Sequence, residues 1–196
     1  MGHTTRARSA EDKSSRRQSL LRAARDCFAE RDYDAVTIAE VARRARLAKG
    51  TVFLYFDTKE ALFLDVLDEL LHEWLDVLHD AVAQDDRPWP SARLARILTD
   101  SLADRPMLAR LLPVGAHVLE QHIPAERATQ FEHRLLRRFF GTGALIEQRL
   151  GLARAGDGVQ LLQFARALIV GLKDRVGESA DLRTALTVLF NGFHRK

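Results

Sequence analysis

Apolar residues recur along this chain at intervals of three and four rather than two. That is the period of helices that bury one stripe and solvate the other. Leu20, Leu21, Ala24, Cys27 and Phe28 set a first helix over about residues 15–31. Thr37-Ile38-Ala39-Glu40 has the form of a capping box, in which the Thr side chain and Glu40 satisfy each other's orphan backbone donors. The helix it opens is short, because Arg46-Leu47-Ala48 interrupts the pattern before Lys49 starts another. Asp57-Thr58-Lys59-Glu60 then caps a long helix, apolar at Leu62, Val66, Leu70, Trp74, Val77 and Ala81. No stretch alternates convincingly and β-branched residues are sparse beside Leu, Ala, Arg and Glu, so the expected fold class is all-α, with about nine helices.

A short helix, a tight turn and a second short helix behind a packed first one make a helix-turn-helix, here over about 37–56. Ile38, Val41, Ala42, Leu47, Val52 and Phe56 fall on inward faces. Lys49, Thr51, Phe53, Leu54 and Tyr55 must then point largely elsewhere, because helices this small cannot bury both faces of the last one. That outward face is offered to a partner. Cys27, on the apolar face of the first helix, reads as core rather than as a reactive thiol.

Charge sharpens the picture. Residues 1–56 hold 12 Lys/Arg against 7 Asp/Glu, or +5; residues 57–196 hold 18 against 20, or −2, and together they give the net +3. A basic first quarter on a near-neutral body suggests a polyanion-binding module joined to something else. The 196 residues suffice for a well-buried domain plus a small second one. The lone Cys27 fits a reducing compartment. Residues 1–19 lack the apolar stretch of a signal peptide, and the longest apolar run, about six residues near Ala167–Leu172, is too short for a membrane span. A cytoplasmic protein without membrane contact is expected.

Residues from about 15 to 65 resemble the DNA-binding domain of the TetR family of transcriptional regulators. The resemblance is carried by Ala24 with Phe28-Ala29-Glu30-Arg31, Thr37 through Ala45, Lys49-Gly50-Thr51-Val52-Phe53, Tyr55-Phe56 and Lys59-Glu60-Ala61-Leu62. It implies double-stranded DNA as partner, read as a pseudo-palindromic operator. It puts Lys49 at a base-reading or phosphate position, and Thr51, Tyr55 and Lys59 at backbone phosphates. Gly50, Phe53 and Leu54 fall on the same DNA surface, with Arg44, beside Arg43, as a further backbone contact. Thr37 heads the second helix, where exposed N–H groups and the helix dipole favour a phosphate. Three positions depart from the family pattern. Phe53 replaces a common tyrosine and gains an apolar contact, such as a thymine methyl. Arg46 stands where glycine is usual, at a cost of about 1 kcal/mol if its backbone is left-handed. Asp32 replaces glycine after the first helix, and Asp tolerates that left-handed conformation better than most residues.

The expected organisation is a disordered basic arm over 1–14, a helix-turn-helix DNA-binding domain over 15–62, and a helical effector-binding and dimerisation domain over 63–196. In the last, Pro88-Trp89-Pro90-Ser91 marks a break with Ser91 as cap, and Arg105-Pro106 and Leu112-Pro113 mark two more boundaries. A long helix covers about 124–150, with a bend expected near Gly141-Thr142-Gly143. Two final helices, about 158–176 and 179–194, carry more apolar surface than one terminal hairpin buries alone. By resemblance this pair meets its copy in a four-helix homodimer interface through Leu161, Ala165, Leu168, Leu172, Leu186, Leu189 and Phe193. Met107, His117, Phe131, Phe139, Phe140 and Phe164 are pocket candidates for a small hydrophobic or aromatic effector of unknown identity.

Other classes fit less well. Glu69-x-x-His72 and Asp76-x-x-His79 mimic a di-iron motif, but both lie on one helix, whereas such a site needs two helices and two further carboxylates. The chain has no HExxH, GxSxG, phosphate loop or Cys/His metal spacing, so neither catalytic residues, a metal nor a cofactor is expected. A DNA-binding structural protein without effector remains the alternative reading; a tunnel in the C-terminal domain would discriminate against it.

Overall fold

The computed structural model describes residues 3–84, 86–119, 121–172 and 179–193, and among these every regular element is helical. The order is α1 (His3–Glu30), a 3₁₀ turn (Tyr33–Ala35), α2 (Ile38–Arg44), α3 (Lys49–Val52), α4 (Lys59–Ala83), α5 (Ser91–Ala103), α6 (Pro106–Val114), a π-helical segment (Gly115–Leu119), α7 (Ala125–Leu150), α8 (Asp157–Leu172) and α9 (Ser179–Phe193). Backbone over residues 3–14 is helical, continuing α1 where an unstructured arm is expected.

The N-terminal unit is built as its caps dictate. Thr37 Oγ1 accepts from the Glu40 amide at 3.3 Å, and the Glu40 carboxylate accepts from the Thr37 amide at 3.1 Å, closing the capping box. α2 ends in a Schellman motif: the Leu47 amide reaches Ala42 O at 2.9 Å and the Arg46 amide reaches Arg43 O at 3.1 Å. This requires Arg46 to adopt φ 57°, the left-handed conformation the sequence suggested. Asp32 does not share that geometry: at φ −74°, ψ 157° it is extended and heads the 3₁₀ turn. Leu20, Ala24, Phe28, Val41, Val52 and Phe56 are all buried in the small core. Phe63 of α4 takes Phe28 and Tyr33 edge-on, with ring centroids 5.9 and 5.1 Å away.

α4 is the shared spine. Thr58 caps it by accepting from the Ala61 amide at 3.0 Å. Residues 61–67 are buried without a break, because α1 covers one side and α6 and α7 the other. Further along, the buried stripe is Leu70, Leu71, Trp74, Leu75, Leu78 and Val82. Val77, expected inside, is exposed, and Ala81 is only half-buried. Leu71 and Leu75 widen the stripe on the side away from Val77, which leaves Val77 at its solvent edge.

Three more expectations are corrected in the C-terminal unit. Pro90, not Ser91, is the residue before α5; Ser91 is the first residue of the helix and its hydroxyl is buried. Pro106 opens α6 as anticipated, but Pro113 does not end it. The helix continues one residue and widens into the π turn; Pro113 lacks the N–H that would bond Ala109 O. α7 runs unbroken through Gly141-Thr142-Gly143. Its glycine serves close approach instead: a Cβ on Gly158 would stand 2.1 Å from the Gly143 carbonyl oxygen, so α8 crosses α7 backbone to backbone. The ends expected for the last two helices, 176 and 194, lie outside the described residues.

Candidate nucleic-acid interface and ligand cavity

Local structure presents the outward face of α3. Val52 and Phe56 are fully buried, which pins the helix and turns the residues between them outward. Leu54 is 75% exposed and Phe53 45% exposed. Lys49 is exposed at the first turn, Thr51 and Tyr55 are half-buried, and a side chain at Gly50 would meet nothing within 4 Å. After Val52 the chain tightens into i→i+3 bonds, Leu54 N to Thr51 O at 3.2 Å and Tyr55 N to Val52 O at 2.9 Å. Lys49, Gly50, Thr51, Phe53, Leu54 and Tyr55 therefore share one small surface, basic at its entrance and apolar at its end.

Thr37, Arg44 and Lys59 are engaged with their own protein. The Thr37 amide and hydroxyl both donate to Glu40, so an anion at the head of α2 would meet a carboxylate. Hydrogen bonds from Thr37 and Arg31 hold the Glu40 carboxyl below the usual range. Arg44 Nη2 donates to both Glu30 oxygens at 2.6 and 2.7 Å. Lys59 Nζ donates to Tyr33 O at 2.5 Å and lies over the Tyr33 ring, and burial pushes its ammonium down from the ordinary lysine value.

Ion pairs tie this reading unit to the rest of the chain. Asp65 of α4, nearly buried, accepts from Arg17 of α1 and from Arg127 of α7, the latter at 3.0 Å. Arg25 of α1 forks onto Glu73 at 2.7 and 3.0 Å. Arg110 of α6 donates to Arg31 O and Asp32 Oδ1, each at 3.0 Å, and covers the Phe28 ring. These pairs join residues 48 to 79 positions apart, and the sequence reading missed all of them. The only local signal was charge on otherwise apolar helices.

Two hollows lie beyond the reader. A polar crevice of about 580 Å³ between α1, α4 and α7 is walled by the Arg17–Asp65–Arg127 cluster and by Arg134, which meets Asp68 at 2.8 Å. Its charges are largely paired with one another, so it offers an apolar molecule little. The second, about 380 Å³, is mainly apolar: it is lined by buried Leu67 and Leu71 of α4, Leu112 of α6 and Phe131 of α7, and by half-buried Val170 of α8. Exposed His117 of the π turn and Gln163, with half-buried Arg166, complete its polar lining. Of the pocket candidates, His117 and Phe131 line this cavity. Phe139 is buried in the core, Met107 packs against it half-buried, and Phe140, 62% exposed, faces outward from α7.

Phe164 is also corrected: it is a surface residue of α8, its ring 6.2 Å from that of Phe193. On α8 and α9, Leu161, Ala165, Leu186 and Phe193 are already buried within the protomer, whereas Leu168, Leu172 and Leu189 are half-buried. Heptad-like spacing reports apolar faces without saying which neighbour covers them. Among the described residues of the pair, the exposed large apolar positions are Phe164 and Val188.

A helix-turn-helix unit riding on a helical, cavity-bearing body defines a class of helical regulator. Residues 20–66 match the family described as bacterial regulatory proteins, tetR family, and residues 68–192 match the tetracyclin repressor-like C-terminal domain. The chain belongs to the tetR family. It is 35% identical over 106 residues to a helix-turn-helix transcriptional repressor of Mycobacterium tuberculosis, a match covering 54% of this chain and 52% of that protein. The chain thus spans about half the length of the curated relatives it matches in this way. An uncharacterized helix-turn-helix regulator of the same organism is 28% identical over 181 residues, 89% of this chain and 92% of the other. The fold also aligns with that of the transcriptional regulator FadR from Bacillus subtilis, solved in complex with stearoyl-CoA, with a TM-score of 0.59 at 15% identity over 88% of this chain and 96% of that one.

Proposed function

We propose that this chain is a cytoplasmic transcriptional repressor that binds a pseudo-palindromic operator as a homodimer and leaves it when a small apolar effector fills the α4/α6/α7/α8 cavity. The observation that carries the reading is α3 itself, pinned by buried Val52 and Phe56 while Lys49, Phe53 and Leu54 face solvent. A helix presented this way fits a major groove, with Lys49 donating to guanine O6 and N7 and Phe53 or Leu54 against a thymine methyl. Thr51 and Tyr55 flank it at phosphates, which position without specifying.

The cavity supports the effector part against an effector-independent structural role. Its wall includes Leu67 and Leu71, two and six residues beyond the α4 residue Asp65 that holds Arg17. It also includes Leu112, two residues from the Arg110 that holds the end of α1. A ligand that shifts α4 or α6 acts on the reader through these ties, provided it binds the shifted state better. The α8/α9 pair supplies the dimer face, now centred on Phe164, Val188 and the half-buried Leu168 and Leu189.

Selection from a random duplex library with the purified protein tests the DNA part; enrichment of an inverted repeat is expected, and no enrichment contradicts it. Light scattering at micromolar concentration tests the dimer. Wild type should scatter as a dimer, and the Phe164→Glu, Val188→Glu double variant as a folded monomer; a wild-type monomer sinks the two-fold reading.

A further inference from the structure

We propose that the 380 Å³ cavity takes a carboxylate-bearing apolar molecule, with Arg166 as the residue that receives its head group. This deepens the effector reading above and rests on it. The interior is closed by leucines and Phe131, all under 5% exposed, so whatever enters must be largely apolar. Among the described lining residues, Arg166 is the one permanent charge and there is no carboxylate. A neutral head would gain no ion pair with Arg166.

The position of Arg166 suits exchange. Its Nη1 sits 2.8 Å from Glu132 Oε1 of α7, a pair with side chains 30% and 36% exposed. An incoming carboxylate is the same chemical group as Glu132's, so taking its place keeps the guanidinium paired, while the displaced Glu132 carboxylate, 36% exposed, must turn to water. Arg's planar fork suits a carboxylate head where Lys would present only a point charge. Glu132 then becomes the competitor that sets the affinity. The volume lies at the low end of ligand sites, about 300–1,000 Å³, which favours a medium alkyl chain or a single ring with a short acid arm.

The test is calorimetric titration of the full chain at neutral pH with decanoate, decanol, methyl decanoate and decylammonium, and with phenylbutyrate against phenylbutanol. The acids should bind about tenfold or more tightly than their neutral partners. Arg166→Gln should reduce that advantage to about twofold or less while leaving the neutral compounds unchanged, and Glu132→Gln should tighten the acids several-fold. Should Arg166→Gln fail to fold, Glu132→Gln carries the test alone. Equal binding of acid and neutral partner, a preference for decylammonium, no response to either substitution, or binding by none of the compounds overturns the proposal. Release from DNA is measured separately. Arg166-dependent binding of acids without release keeps the site and refutes the effector role; release by ligands indifferent to Arg166 does the reverse.

Discussion

The ammonium of Lys59 rests 4.0 Å from the centre of the Tyr33 ring and donates to the carbonyl of the same residue. One side chain thus ties the start of α4 to the turn after α1, at the edge of the surface proposed to meet DNA. Lys59→Ala should therefore do two things. It should cost about 0.5–1 kcal/mol of stability through the lost cation–π contact. If the ammonium also serves a phosphate, it should weaken all duplexes alike and lower the salt slope by about 0.9 per subunit. Urea denaturation reads the first effect and salt titration the second; a change in base preference would contradict the positioning role.

Tyr33 also donates its hydroxyl to Glu60 at 3.0 Å. Burial pushes the Glu60 carboxyl up, but its own backbone amide, Tyr33, Thr58 and Lys59 together outweigh this and hold it below its ordinary value of 4.5. A carboxyl lowered by folding contributes stability that is present above that ordinary value and lost as pH falls through the folded one. Melting temperatures followed from pH 7 to pH 3 should fall less steeply in Glu60→Gln than in wild type. Parallel curves would show that the Glu60 contacts contribute nothing.

Asp65 holds a guanidinium from each unit of the protein, Arg17 and Arg127. Asp65→Asn leaves both without their anion and should cost about 1–3 kcal/mol, less than a fully buried pair because the arginines are partly exposed. The urea midpoint reports it. An unchanged midpoint would mean that the Arg17–Asp65–Arg127 cluster contributes nothing to holding the two units together.

Arg46 holds the left-handed position that closes the Schellman motif of α2. Arg46→Gly relieves a strain of about 1 kcal/mol and should raise stability by somewhat less, since glycine also frees the unfolded chain. Thermal unfolding decides; a lower melting temperature would mean that the Arg46 side chain contributes more than its backbone costs.

What could be read beforehand follows from range along the chain. Thr37 with Glu40 and Thr58 with Ala61 are caps completed within three residues, so their bonds were visible as spacing. Val52 and Phe56 were placed inside for the same local reason. Asp32 and Ser91 were misplaced because a residue's tolerance for a conformation does not oblige it to adopt one. Phe140 and Phe164 were sent to a pocket because large aromatic residues are usually core, yet whether a helix face is covered depends on elements far away in sequence. The Arg110–Asp32 and Arg127–Asp65 pairs, 78 and 62 positions apart, exist only once the helices are assembled. The cavity belongs to the same category. Its leucines read as ordinary core, and only Arg166 within an apolar stretch hinted that one wall is wet.

The central claim is that α3 reads sequence through Lys49. The most direct measurement is parallel selection from one random duplex library by wild type and Lys49→Ala, followed by affinities for single-base variants of the selected site. Wild type should enrich an inverted repeat with a strongly preferred base pair at the same place in each half. Lys49→Ala should lose about 1–3 kcal/mol at that pair and tolerate any base there, while preferences elsewhere persist. An identical preference at every position in both proteins would contradict the claim.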